Sequence, residues 1–156
     1  MEQLMMGLLL WISQHTMFEY QPEMGLPNVE QVTQQKLAEL YMGTDESRLG
    51  YLSDADKESI FNDLTNSLEA VYASDNNTIY LGEKIEPEST YGRSVMVHEL
   101  VHFLQNKNDM HKQVTCKNAL EKDAYLIQSD YMVQNNTIPP FNRFTIMMRS
   151  LCEDDF

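Results

Sequence analysis

The sequence predicts an α+β fold, in which several helices pack on one small antiparallel sheet. Residues 90–107 and 115–134 carry apolar side chains at spacings of three and four, which is the period of one helix face. Residues 68–72 and 78–81 are short runs of apolar and β-branched side chains. A turn-forming run of Ser, Asp and Asn at residues 74–77 separates these two runs, so we expect a β-hairpin there.

The longest apolar run of the chain lies close to its N-terminus, at residues 4–12. It is far shorter than the roughly 20 residues that a membrane-spanning helix needs. No Lys or Arg precedes it and no small-x-small cleavage site follows it, so it lacks the features of a signal peptide. We expect instead an amphipathic helix that packs on the core through one face. That face carries Leu4, Leu8, Trp11, Ile12 and His15.

Between this helix and the hairpin, the sequence predicts one strand and two further helices. The strand candidate lies at residues 29–32, and Thr33 can cap the helix that follows it and ends near Gly43. Residues 44–52 are predicted to form a loop, after which Ser53 begins a helix with an apolar inner side. The apolar residues of that side are Ile60, Phe61 and Leu64.

Two long helices and one short helix are predicted for the rest of the chain. The first long helix begins at Ser89 or Thr90 and runs to about Lys107. A loop rich in Asn, Asp and Lys connects it to the second long helix. Two prolines at residues 139–140 then end the helical pattern. A short helix over residues 141–151 follows and precedes an acidic tail.

The composition indicates a single globular domain over residues 1–156 and excludes several kinds of partner. Apolar residues make up 42% and charged residues 22%, close to globular averages, and the chain is long enough to bury a core. It has 11 Lys and Arg against 24 Asp and Glu, which gives a formal net charge of −13. Because an acidic surface repels phosphate backbones and anionic lipids, we expect neither nucleic acid nor a membrane as a partner.

The candidate metal-binding and catalytic residues lie in the first long helix, in the sequence His98-Glu99-Leu100-Val101-His102. Residues four positions apart lie on the same helix face, so both imidazoles can reach one zinc ion. Glu99 is rotated by about 100° around the helix, which lets it reach a water on that ion as a general base. The flanking residues are uncharged, so we expect a buried helix whose polar side chains need partners.

A third ligand is needed, and the metzincin pattern does not supply it. That pattern requires a glycine three residues after His102 and a histidine six residues after it. Those positions hold Gln105 and Asn108. His111 follows in a polar loop, where a surface histidine is expected.

Glu121, on the second long helix, is the predicted third ligand. It borders the apolar face that contains Leu120, and a helix–loop–helix hairpin would bring it back alongside His98 and His102. Asp123 is the alternative, and lies about 160° from Glu121 around the helix. We favour Glu121, which puts the zinc site between the two long helices.

The His-Glu-Leu-Val-His sequence at residues 98–102, followed by a helical Glu121 with Ala124 close behind, resembles the gluzincin metallopeptidases. The short chain is most similar to the minimal single-domain members of that group, the minigluzincins. The resemblance covers about residues 71–134. It implies that residues 78–81 form a sheet-edge strand that binds the substrate in extended form.

The resemblance also implies that His98, His102 and Glu121 bind Zn²⁺ and that the protein hydrolyses peptide bonds of a peptide or protein substrate. In the implied mechanism, Glu99 takes a proton from a metal-bound water, and the hydroxide attacks a carbonyl that the metal polarises. Larger gluzincins carry an acidic residue four positions after the third ligand to support a zinc histidine. This chain has Tyr125 there, so that support is left open.

A further group is expected to stabilise the oxyanion of the reaction. Our preferred candidate for this catalytic role is Tyr125, one helical turn beyond Glu121. Tyr131, His111 and Arg143 are the alternatives.

The alternative function is a catalytically silent domain, in which zinc stabilises a binding or regulatory surface. Glu99 favours the peptidase, because a structural zinc site needs no base beside its metal.

Cys116 and Cys152 are the two cysteines of the chain. A bond between them would pin the last short helix onto the second long helix and close a loop of about 36 residues. Because disulfides persist in oxidising compartments, this placement favours an exported protein.

Overall fold

The computed structural model describes residues 1–44 and 52–152, which form two compact units. The first unit comprises residues 1–27 together with the chain from Pro87 onward, and the second comprises Asn28–Glu86. Within the described residues, the first unit contains only helices as its longer elements, and the second contains the strands together with two helices.

Helices dominate the described residues, and the predicted α+β class is confirmed. In chain order the elements are α1 (Glu2–His15), β1 (Asn28–Val32), α2 (Gln34–Thr44), α3 (Asp54–Ser67), β2 (Ala70–Ala73), β3 (Thr78–Gly82), α4 (Thr90–Lys107), α5 (Asn118–Gln134) and α6 (Arg143–Ser150). Two short 3-10 turns, Pro22–Met24 and Met110–Lys112, complete the regular structure of these residues. Most of the loop predicted over residues 44–52, and the acidic tail, lie outside the described residues.

The strands of the second unit form one sheet, in the order β1-β3-β2. β2 and β3 are antiparallel, with Tyr72 opposite Ile79, so the predicted hairpin is confirmed. Asn77 in its turn has a φ of 53°, a left-handed conformation that Asn tolerates better than most residues. β1 instead runs parallel to β3, so the prediction of a purely antiparallel sheet is wrong. Parallel pairing requires a long connection, and α2, α3 and β2 supply it.

In the first unit, α4 packs along α5 and is buried over most of its length. Ser89 caps α4, because its hydroxyl accepts a hydrogen bond from the Gly92 N–H at 2.9 Å. The polar side chains of so buried a helix need partners inside the protein. The fully buried apolar residues of α4 are Met96, Val97, Leu100, Val101, Phe103 and Leu104.

α1 packs on α4 through a face that differs in part from the predicted one. The buried residues of α1 are Met5, Leu8, Leu9 and Ile12. Trp11 is only partly buried and His15 is exposed, so their assignment to the buried face is wrong. Trp11 lies at the edge of the helix contact, where its ring contacts Tyr131 at 4.9 Å and its Nε1 donates to Gln134 Oε1 at 3.2 Å. None of the described helices combines the length and the apolar character that a membrane span requires.

α6 packs against α5, and a disulfide fixes the chain just beyond its end. The predicted bond between Cys116 and Cys152 is present. Asn118 Nδ2 donates to the Leu151 carbonyl at 3.0 Å, and Ile146 is the buried residue of the helix. These contacts tie α6 to the N-terminal end of α5.

Replacing both cysteines, as Cys116→Ser with Cys152→Ser, is expected to lower the free energy of unfolding by about 3 to 4 kcal/mol. The bond closes a loop of 36 residues and so restricts the unfolded chain. Urea denaturation of the oxidised wild type and the double variant measures the difference. Wild-type protein held in reductant is the control and should match the variant. Equal stability of the variant and the oxidised wild type would contradict the prediction.

Candidate metal centre

The candidate site begins with two histidines on α4. His98 and His102 lie one helical turn apart, and their Nε2 atoms are 3.1 Å from each other. His98 is only 8% exposed, because α4 is covered by α1 and α5. The two imidazoles therefore meet at the buried side of the helix.

α5 adds Glu121 to the two histidines. Its Oε2 lies 3.2 Å from His98 Nε2, and its Oε1 lies 3.3 Å from His102 Nε2. In the part of the chain that the structure describes, these three residues form the group of His, Cys, Asp or Glu side chains that could hold a metal ion. The predicted helix hairpin thus brings Glu121 to the histidines, whereas Asp123 and His111 are not part of the group.

The two imidazoles and the carboxylate converge closely enough to share one small cation. Atoms about 2 Å from one ion, at tetrahedral angles, lie about 3.3 Å from one another. The two Nε2 atoms are 3.1 Å apart, and each lies 3.2 or 3.3 Å from a different oxygen of the Glu121 carboxylate. Two imidazoles and one carboxylate are also a donor set typical of catalytic zinc.

A buried glutamine of α4 orients the ring of His102. Gln105 Nε2 donates a hydrogen bond to the Leu120 carbonyl at 3.0 Å, so Gln105 Oε1 faces the imidazole. That oxygen lies 2.8 Å from His102 Nδ1. Because an amide oxygen only accepts hydrogen bonds, Nδ1 carries a proton and Nε2 is the nitrogen left to bind a metal.

Gln128 of α5 orients His98 in the same way. Its Nε2 donates to Ser94 Oγ at 3.3 Å, and its Oε1 lies 3.1 Å from His98 Nδ1. Metal-binding histidines almost always donate their second ring N–H to such an acceptor. The two glutamines therefore direct both Nε2 atoms toward Glu121.

The residues of the site lie on two facing stripes, one on each helix. The α4 stripe is His98, His102 and Gln105, and the α5 stripe is Glu121, Tyr125 and Gln128. In both stripes the members are four residues and then three residues apart, which keeps the side chains on one helix face.

The contacts of Gln105 and Gln128 with the histidines were not predicted from the sequence. The signal that could have found them is this polar stripe on each of two largely apolar helices.

Charges within the site shift the pKa values of its members. Burial alone would lower the pKa of His102, but the carboxylates of Glu121 and Glu99 outweigh burial and raise it to about 9. Burial would also raise the pKa of Glu121, but the two imidazoles hold it far below its usual range. His102 therefore holds a second proton when no metal competes for it. A divalent cation would displace that proton.

Glu99 lies beside the group without belonging to it. Its side chain is on α4, and the residue is 6% exposed. Its negative charge contributes to the raised pKa values of His102 and Tyr125, so its carboxylate lies near both. This is the position expected of a base next to a metal, and the catalytic role of Glu99 stays a prediction.

Tyr125 packs against His98, with ring centroids 4.4 Å apart. Its hydroxyl accepts a hydrogen bond from Arg149 Nη1 at 2.6 Å, and its ring contacts Phe141 at 5.0 Å. Burial and the Glu121 carboxylate raise the pKa of Tyr125 to about 12, so the phenol is protonated near neutral pH. Its predicted catalytic role is untested. Arg149 and Phe141 were not identified from the sequence, because their approach to Tyr125 depends on how α6 packs.

The other predicted candidates lie away from the histidines. Tyr131 contacts Trp11 of α1, and Arg143 and His111 are exposed. Among the described residues, neither Arg143 nor His111 makes a polar contact with the metal-binding group. Residues 78–81 lie in β3, the central strand of the sheet of the second unit, where β1 and β2 pair with its two sides. The expectation that they form a sheet-edge strand that binds an extended substrate is therefore wrong.

Comparison with known proteins identifies the family of this chain. No curated protein and no solved structure matches it. A family model described as "Domain of unknown function (DUF6647)" matches residues 1–156. The chain therefore belongs to the DUF6647 family.

Proposed function

We propose that this protein is a zinc-dependent peptidase of the gluzincin type. His98, His102 and Glu121 bind Zn²⁺, and Glu99 is the general base. The proposal depends on one observation, the convergence of the two histidine Nε2 atoms and the Glu121 carboxylate, with contacts of 3.1 to 3.3 Å, beside the buried carboxylate of Glu99. Two imidazoles and one carboxylate can supply three ligands of a tetrahedral zinc site.

Solvent access to the proposed ligands supports a catalytic metal over a structural one. The side chains of His102 and Glu121 are 17% and 31% exposed. A structural zinc site is usually closed by four protein ligands, whereas a catalytic site keeps a position open for water and substrate. The group described above contains three ligands and is reached by solvent on one side.

His98, His102 and Glu121 would hold the Zn²⁺ ion, which would supply a water of lowered pKa and a Lewis acid for the carbonyl of the scissile peptide bond. Glu99 accepts the proton of the attacking water and then donates it to the leaving amine. Tyr125 stays protonated and receives a hydrogen bond from Arg149 through its oxygen, so its own O–H is available to the developing oxyanion. Gln105 and Gln128 keep the ligand rings in orientation throughout.

The proposed substrates are peptides or unfolded proteins in an oxidising compartment. The disulfide Cys116–Cys152 is compatible with export, because such bonds persist mainly outside the reducing cytosol. The formal net charge of −13 disfavours nucleic acid as a substrate.

Removing a proposed ligand is expected to abolish zinc binding. His98→Ala and Glu121→Gln each leave two of the three ligands, so the zinc content should fall from about one ion per chain to near zero. His111→Ala and Asp123→Asn remove the same chemical groups outside the site and should retain zinc. Mass spectrometry of the purified proteins measures the metal. Full zinc content in both ligand variants would contradict the assignment.

Zinc affinity is expected to rise with pH up to about 9. The metal-free protein holds a proton on His102 below its raised pKa of about 9, and zinc has to displace that proton. The dissociation constant should therefore fall about tenfold per pH unit below pH 9 and level off above it. Competition with a fluorescent chelator at about pH 6.5, 7.5 and 8.5 measures this. An affinity that levels off near pH 6.5 would indicate an ordinary histidine and contradict the prediction.

Glu99→Gln is expected to retain zinc and to slow peptide cleavage by about 10²- to 10⁴-fold, because the amide cannot accept the proton of the attacking water. The assay follows release of new amino termini from a reduced and alkylated generic protein by the zinc-loaded enzyme. Glu19→Gln makes the same chemical change at an exposed position and should leave the rate unchanged.

Two other results would count against the proposal. Equal cleavage by wild type and Glu99→Gln would mean that Glu99 is not the base. If the zinc-loaded wild type cleaves none of the protein, the alternative of a catalytically silent zinc-stabilised domain is favoured.

A further inference from the structure

Arg149 is an exposed cation close to the candidate metal centre. Its Nη1 donates to the Tyr125 hydroxyl at 2.6 Å, and its Cζ lies 4.9 Å from the centroid of the Tyr125 ring. That ring lies 4.4 Å from the ring of His98, so Tyr125 alone bridges the guanidinium and a proposed metal ligand.

The positive charge of Arg149 is not balanced by any carboxylate of the described residues. Its polar partner there is the hydroxyl of Tyr125, an uncharged group. A guanidinium has five N–H donors in a planar fork, and Tyr125 occupies one side of it.

The end of α6 that carries Arg149 is anchored to α5, and Tyr125 holds the guanidinium through one hydrogen bond. α6 is anchored by the buried side chain of Ile146 and by the disulfide at Cys152, three residues after Arg149. The hydrogen bond from Asn118 to the Leu151 carbonyl holds the same end of the helix. A side chain that is already ordered loses little entropy on binding, which favours recognition of a partner.

We propose that Arg149 binds a carboxylate of the substrate, so that the peptidase prefers peptides with a carboxylate close to the scissile bond. This inference rests on the proposed function. A carboxylate matches the guanidinium fork in shape and charge. It belongs either to the free C-terminus of the peptide or to an Asp or Glu side chain beside the scissile bond.

Binding of two pairs of small peptides tests the inference and distinguishes the two sources. N-acetyl-Ala-Phe and its C-terminal amide differ in the terminal carboxylate. N-acetyl-Ala-Asp amide and N-acetyl-Ala-Asn amide differ in a side-chain carboxylate. Isothermal titration calorimetry on the wild type, both zinc-loaded and metal-free, should show that one acid binds about tenfold more tightly than its neutral partner. The pair with the larger ratio identifies the source.

Arg149→Gln is expected to bring this affinity ratio close to one, and Arg149→Lys to retain part of it. Arg143→Gln removes the same charge from the exposed first residue of α6 and should keep the full ratio. Zinc content and the urea midpoint of each variant check that the fold and the site are intact. A ratio of one in the wild type, or an undiminished ratio in Arg149→Gln, overturns the inference. The second result would mean that the carboxylate binds elsewhere, including directly to the metal.

Failure of this inference and failure of the proposed function give different results. If the affinity ratio depends on Arg149 but no peptide or protein is cleaved, Arg149 binds carboxylates and the peptidase proposal fails. If protein is cleaved but the acid and neutral peptides bind equally, the inference fails and the peptidase proposal stands.

Discussion

Contact between two polar stripes, one on α4 and one on α5, is the interaction on which the site and the core of the first unit depend. Glu121 and Gln128 place oxygens 3.2 and 3.1 Å from the two ring nitrogens of His98. Tyr125 packs against the same ring at 4.4 Å. From the other helix, Gln105 holds His102 and donates to the backbone of α5. A polar side chain in a buried helix destabilises the fold unless it is paired, so these contacts allow α4 to combine an apolar core surface with histidines.

The charges of the site support the proposal that it binds a divalent cation. The carboxylates of Glu99 and Glu121 meet two imidazoles in a partly buried place. With both imidazoles neutral, the site carries two negative charges, which are costly to keep out of water. The second proton that His102 holds below its raised pKa of about 9 offsets one of them. A divalent cation offsets both, and the neutral glutamines add no further charge.

The sequence predicted the parts of this structure that depend on local spacing. The helix hairpin, the pairing of His98 with His102 and the approach of Glu121 all follow from helical periods within two neighbouring helices. Contacts between distant parts of the chain were harder to predict. Gln128 and His98 are 30 residues apart, and β1 reaches β3 only after two helices and a strand have intervened. Such contacts depend on how whole elements pack, and single-residue patterns carry little information about packing.

The resemblance to gluzincins left the support of a histidine ring open at Tyr125, where larger members of that group carry an acidic residue. In this protein Gln128, three residues further along the same stripe, accepts the Nδ1 proton of His98 instead. Support of the His98 ring therefore does not require an acid at position 125. A phenol at that position stays neutral, packs on His98 and holds Arg149 through its hydroxyl. Because Gln128 accepts the hydrogen bond from His98, Tyr125 can hold Arg149 through its hydroxyl, and the proposed recognition of a carboxylate depends on that contact.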